Sequence, residues 1–286
     1  MYQDYYRPDN LKEALDILAF HKGKARIIAG GTDLVLDINK GTKQADFLVD
    51  IRKIPELNIV EERGTDIYIG AGVTHTQLVN NRIINNKAKV LSEAAQTVGS
   101  LQVRNIGTVG GNVVNAQPAA DTAVALVSLD AKAEIISTDQ SKQIVSVENI
   151  YKGPGKSVVD STSSILTGFY ISMPEATLSA FDRIARRKSL SLPILNLAVV
   201  LRKDKNVCQE IRIAAGPISL QPLRLRPVES FLMGKELSQE IINGAGELIS
   251  QIANPRESVL RGSSAYRKEL LGMMLKRTLS NLAVQK

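Results

Sequence analysis

The chain has 286 residues, enough for two modest domains or one large one. Its 44% hydrophobic and 23% charged residues are ordinary for a globular protein, and the net charge of +7 is interspersed, well short of a nucleic-acid footprint. The single cysteine, Cys208, excludes an internal disulfide or a self-contained iron–sulfur site; with no apolar run long enough for a membrane span and no signal-peptide pattern in Met1-Tyr2-Gln3-Asp4-Tyr5, the expected compartment is the cytoplasm.

Taken in chain order, Asn10 followed by Glu13 predicts a helix N-cap, with Leu11, Leu15 and Leu18 on one face and Gly23 as the stop. Ala25 to Ala29 reads as a short buried strand, Asp33 to Ile38 as a short helix, and Phe47 to Ile51 as a strand closed by Pro55. A second lobe is expected from about Asn58. Its strand at Ile67 to Gly72 leads to a helix around Gln77 to Val79 capped by Thr74, then to a helix opened by Ser92 and Glu93 and ended near Gly99. An apolar stretch follows Asp121 to Leu129. Strands are expected at Ala133 to Ile136 and Ile165 to Ile171, with a turn at Gly153-Pro154-Gly155 between them. Beyond Pro174, Ile194 to Leu201 and Glu210 to Ala214 read as strands, and Pro217, Pro222 and Pro227 rule out a long helix there. The last helix, from Ala265, puts Leu271, Met274, Leu275, Leu279 and Leu282 on one face.

Two glycine pairs carry the functional signal: Ala29-Gly30-Gly31-Thr32-Asp33 and Thr108-Val109-Gly110-Gly111-Asn112. A glycine pair turns tightly and lets backbone approach a ligand with no Cβ in the way. Successive N–H groups opening onto a helix make a cradle for anions. Two such cradles predict a dinucleotide pyrophosphate held from two sides. Neither matches the G-x-G-x-x-G fingerprint, and no Gly-Lys-Ser or Gly-Lys-Thr of a P-loop occurs. His21 and His75 are too isolated for a zinc site or a Ser-His-Asp system. His21 is expected at a helix C-terminus, and His75 in a helix N-turn from which it could approach a ligand. No residue stands out as a general acid or base.

Ile28 to Asp33 together with Val103-Arg104-Asn105-Ile106-Gly107-Thr108-Val109-Gly110-Gly111-Asn112 resembles the FAD-binding medium subunit of molybdenum hydroxylases, which include carbon monoxide dehydrogenase and bacterial xanthine dehydrogenases. The likeness runs from Tyr6-Arg7-Pro8 through Asp121 to Arg261-Gly262-Ser263-Ser264-Ala265-Tyr266-Arg267. Gly153-Pro154-Gly155-Lys156 and Asp130-Ala131-Lys132 look most like the xanthine dehydrogenase branch. The resemblance implies an α+β fold: a two-lobed, PCMH-type FAD-binding domain over residues 1–175, with lobes of about 1–56 and 57–175, then a mixed sheet-and-helix C-terminal domain of the CO dehydrogenase flavoprotein type over 176–286.

By position, the resemblance implies that Ile28, Ala29, Gly30, Gly31, Thr32, Asp33 and Leu34 meet the FAD pyrophosphate and its surroundings through backbone N–H groups. Thr108, Gly110, Gly111 and Asn112 form the second wall, Asp121 bonds ribose or adenine-side atoms, and Ile165 or Leu166 packs on the flavin side. A basic residue beyond the strand beginning near Ser179 falls on Asp182 or Arg183, of which Arg183 keeps the charge; Ser191 stands where many members carry an acid. The implied partners are a large molybdopterin-binding subunit and a small subunit with two [2Fe-2S] clusters, as a dimer of heterotrimers. Electrons would pass from molybdenum through the clusters and FAD to NAD+ or another acceptor. Two other readings stand beside this one: a flavin-free assembly subunit, and a free-standing flavoprotein oxidoreductase of the same fold.

Overall fold

The computed structural model describes residues 2–172, 177–187 and 190–285; the expected domain boundary at 175/176 lies outside the described residues. The first lobe alternates strand and helix: β1 (Asp4–Tyr6), α1 (Leu11–His21), β2 (Ala25–Ile28), α2 (Leu34–Asn39) and β3 (Phe47–Asp50). Its strands form a parallel sheet in the order β1-β3-β2. Helix α1 starts where its signals place it. The Asn10 side chain accepts from the Glu13 N–H at 2.9 Å, and Glu13 reaches back to the N–H of Asp9 rather than of the cap itself. Ala14, Leu15 and Leu18 bury its inner face, and Lys22 and Gly23, both at positive φ, end it.

The second lobe opens with β4 (Val60–Arg63) and β5 (Asp66–Gly70) and continues through short helices α3 (His75–Asn80), α4 (Arg82–Lys87), α5 (Lys89–Gln96), α6 (Leu101–Ile106), α7 (Val109–Val114) and α8 (Asp121–Ser128). It closes with β6 (Lys132–Ser137), β7 (Lys142–Ser146), β8 (Tyr151–Gly153), β9 (Lys156–Ser157) and β10 (Ser164–Ser172). The main sheet is antiparallel in the order β4-β5-β10-β6-β7. Thr74 and Gln77 form a full capping box on α3. The expectation that Ser92 opens a helix is corrected: α5 begins at Lys89, because Val90, Leu91, Ala94 and Ala95 all bury against the core and carry Ser92 inside the helix. Glu93 instead accepts from the N–H of Phe181 at 2.9 Å.

Strand β10 joins the two lobes. Successive side chains on a strand point to opposite faces, so Ile165 enters the first lobe's core with Leu15, Leu18 and Val49, whereas Leu166 enters the second lobe's core with Val109 and Phe169. A register shift between Leu166 and Gly168 follows at once.

The C-terminal domain is an antiparallel meander of β11 (Leu178–Ala185), β12 (Pro193–Asp204), β13 (Val207–Gly216) and β14 (Leu223–Arg224), backed by α9 (Arg226–Leu232), α10 (Gln239–Ile252) and α11 (Ser264–Ala283). Pro227 sits in the first turn of α9, where its missing N–H costs nothing. On β12 the pleat divides the labour: Leu195, Leu197, Val199 and Leu201 face the domain's own helices, while Ala198 and Val200 join the second lobe's core. The final helix buries Leu271, Met274, Leu275, Leu279 and Leu282, as its spacing predicts.

Candidate functional site

A cleft of about 450 Å³ runs between the two lobes, within the range of small-molecule sites. Its first wall is the turn from β2 into α2. Gly30 presses against the α6–α7 junction so closely that a β-carbon there would collide with the Ile106 carbonyl oxygen, and Gly31 takes φ +69, a conformation that side chains resist. Among the described residues, the N–H groups of Gly30, Gly31, Thr32 and Asp33 donate to no other protein group. Four successive donors in the cleft wall are therefore unspent, which suits an anion. Asp33 precedes α2 without capping it by its side chain, and Ile28, Ala29 and Leu34 complete this wall.

The second wall is built differently, and the expectation of two equivalent cradles is corrected. Gly110 and Gly111 lie in the first turn of α7, and the neighbouring N–H groups are already used. Val109 donates to Val73 O, Gly110 to Ala71 O, Gly111 to the capping Thr108 Oγ1 at 3.0 Å, and Asn112 to Thr108 O. Gly110 is required by packing, since its β-carbon would stand 2.5 Å from Ala71 Cβ. Gly111 is different: a β-carbon there would meet only Thr108 Oγ1, at 3.0 Å, and otherwise open cleft. This wall thus offers a bare surface and the Asn112 carboxamide, whose Oδ1 accepts from the Thr122 hydroxyl at 2.7 Å.

The cleft's apolar lining includes Val98, Val103, Val159, Ile165 and Leu166. His75 lines it too, 2% exposed, and among the described residues its Nδ1 has no hydrogen-bond partner. Burial, aided by the charge of Arg104, pushes its pKa down to about 4, so the imidazole is neutral at ordinary pH.

Two expected contacts are placed elsewhere. Asp121 and Arg183 do not line the cleft; they pair with each other, Arg183 Nε lying 3.2 Å from Asp121 Oδ2. Asn196 Nδ2 donates to Asp121 Oδ1 at 2.7 Å, and Arg183 also donates to the Ser191 carbonyl. Burial raises the Asp121 carboxyl pKa against the opposing pull of Arg183 and Asn196. Both of its oxygens accept from the C-terminal domain, so Asp121 ties two domains together and lies outside the cleft lining. Asp182 pairs with Arg277 on α11.

Conversely, the structure brings in residues that the motifs left out. Arg26, Lys43, Lys156, Asp160 and Ser161 also line the cleft, with Arg26 Nη1 donating to Ser161 Oγ at 2.8 Å. The Gly153-Pro154-Gly155 turn was the signal available for Lys156; nothing local marked Arg26 or Lys43.

Known proteins share this fold. The family model described as "FAD binding domain in molybdopterin dehydrogenase" matches residues 1–174, and that of the "CO dehydrogenase flavoprotein C-terminal domain" matches 180–282. The nicotinate dehydrogenase FAD-subunit of Eubacterium barkeri is 32% identical, covering 93% of this chain and 91% of the relative. The xanthine dehydrogenase FAD-binding subunit of Escherichia coli O157:H7 is 28% identical, covering 98% and 95%. A chain of reconstituted CO dehydrogenase from Oligotropha carboxidovorans superposes with a TM-score of 0.93 at 26% identity, covering 100% of this chain and 99% of that one.

Proposed function

Since the chain belongs to the family of FAD-binding subunits of molybdenum hydroxylase complexes, we propose that it serves a xanthine dehydrogenase-type complex and delivers electrons to NAD+. The observation that carries the flavin site is the run of four unspent N–H donors at Gly30 to Asp33, which line the same cleft as the bare Gly111. Donors without acceptors on one side, and a helix surface stripped of a side chain on the other, fit a diphosphate bridge. Arg26, Lys43 and Lys156 add positive charge along the same cleft.

When bound, FAD supplies a two-electron exit for electrons arriving through iron–sulfur clusters. The chain's own residues have simpler tasks. Gly30, Gly31, Thr32 and Asp33 would hold the diphosphate through their free N–H groups; Ile28, Leu34, Thr108, Gly110 and Asn112 would shape the walls, and Ile165 and Leu166 would exclude water. His75, neutral and buried, adds no charge to the site. Cys208 is buried in the C-terminal domain, and among the described residues no cluster of ligating side chains could hold a metal. The clusters and molybdopterin are accordingly assigned to a small and a large partner subunit in a dimer of heterotrimers. A division into domains at 175/176 and residence in the cytoplasm belong to the same proposal; among the described residues, no helix is long and apolar enough to cross a membrane.

The xanthine-type reading rests on Gly153-Pro154-Gly155-Lys156 and Asp130-Ala131-Lys132. Relatives include FAD subunits or medium chains named for nicotinate, glyceraldehyde and carbon monoxide, so the test is direct. The complex is purified from its host and assayed for flavin, for co-eluting large and small subunits, and for xanthine-dependent reduction of NAD+. A yellow complex that reduces NAD+ with xanthine supports the whole proposal. A yellow complex that oxidises only another substrate, or reduces only another acceptor, removes the finer assignment; a colourless complex removes the flavin.

A further inference from the structure

Helix α8 is buried along its whole length, and its polar side chains each have an identifiable role. Asp121 holds Arg183 and Asn196, and Ser128 donates back to the Ala125 carbonyl of its own helix. Thr122, with 0% of its surface exposed, does something else: its hydroxyl leaves the helix and donates to Asn112 Oδ1 at 2.7 Å. Asn112 lines the cleft, and among the described residues its Nδ2 donates to no protein group.

We propose that Thr122 is a positioning residue that fixes the Asn112 carboxamide with its NH2 group toward the cleft, so that Asn112 acts as a donor to an acceptor oxygen of the nucleotide, a phosphate or ring carbonyl. The proposal rests on the flavin reading above. A separation of 2.7 Å is typical of O–H···O and shorter than the usual N–H···O distance, which favours Oδ1 as the atom facing Thr122. A flipped amide would make Thr122 the acceptor and strand its hydroxyl proton in apolar surroundings, an outcome that buried polar groups avoid. Since the backbone N–H groups at Val109 to Asn112 are already spent inside the protein, this part of the wall donates through side chains, and the direction of the Asn112 carboxamide is set by a residue that does not line the cleft.

The test uses the full chain stripped of flavin, with FAD affinity read by fluorescence quenching and apoprotein melting followed in parallel. Thr122→Val keeps the shape and loses the hydroxyl. It should raise the FAD dissociation constant roughly fivefold, the worth of one net hydrogen bond, while Thr122→Ser stays within about twofold of the parent. In an Asn112→Ala background, Thr122→Val should add no further loss, because the group it orients is gone. Asn112→Asp should bind FAD more weakly than Asn112→Ala, since a carboxylate oxygen would then face an acceptor, and this comparison does not depend on how well Thr122→Val folds. Unchanged affinity in Thr122→Val, an equal loss in the Asn112→Ala background, or tight binding by Asn112→Asp would each overturn the proposal. Failure of the parent chain itself to bind FAD would overturn the flavin reading along with it.

Discussion

The backbone of Gly30, in the first lobe, lies against the carbonyl of Ile106, in the second, with no room for a β-carbon between them. Gly111 faces open cleft instead. The two glycines therefore predict opposite behaviour. Gly30→Ala should destabilise the flavin-free protein by about 1–3 kcal/mol, the usual cost of overpacking, measured by urea unfolding. Gly111→Val should leave that stability within about 1 kcal/mol of the parent, because only the Thr108 cap must yield. It should nonetheless abolish retention of FAD. A Gly111→Val protein purified with its full flavin complement would show that nothing occupies the space beside it.

Asp121 is the next case. Removing its carboxylate leaves the Arg183 guanidinium buried without a counter-charge. Asp121→Ala should thus lose about 3–5 kcal/mol of unfolding free energy, as for breaking one side of a buried pair. Its FAD dissociation constant, measured on the fraction that remains folded, should be unchanged. Weakened flavin binding in folded protein would return Asp121 to the cofactor.

His75 predicts a pH effect with a definite sign. Its folded pKa, about 4, lies below the unfolded value of 6.5, so the unfolded chain binds the extra proton between these values. The stability associated with keeping the ring neutral is fully present above pH 6.5 and is lost as pH falls toward 4, by about 3 kcal/mol at most. His75→Gln should flatten the stability profile across that window. An NMR titration of the parent showing His75 protonated at pH 6 would contradict the burial argument.

Cys208 is fully buried, and burial pushes its thiol pKa up to about 11. Ellman's reagent should find no reactive thiol in the native chain near pH 8 and one equivalent in urea.

Much of this architecture could be read from residues in short range of one another. The Asn10 and Thr74 caps, the β12 and β13 strands and the apolar face of α11 follow from local spacing and capping chemistry. Helix α10 was not foreseen: Gly244 and Gly246 dilute its helical pattern, and their reason is tertiary, since a β-carbon at Gly246 would strike the Lys276 stem on α11. The two glycine pairs pointed to the cleft, but not to the difference between them. That difference depends on which carbonyls, Val73 and Ala71, lie across from α7. Asp121 resembled a ligand contact by its place in the motif; the residues that claim it, Arg183 and Asn196, lie 62 and 75 positions away. Arg26 and Lys43 were invisible for the same reason, because only the closed pair of lobes brings them to the same cleft as Lys156, which the Gly153-Pro154-Gly155 turn marked.

The alternation along β10 has a consequence for how a nucleotide comes and goes. Ile165 and Leu166 root the same strand in two separate hydrophobic centres, so the jaws cannot swing apart about it without drawing one of these side chains out into water. Exchange of a dinucleotide by parting the lobes would then cost the exposure of one of these apolar side chains, so the flavin is expected to depart slowly, as a resident prosthetic group would.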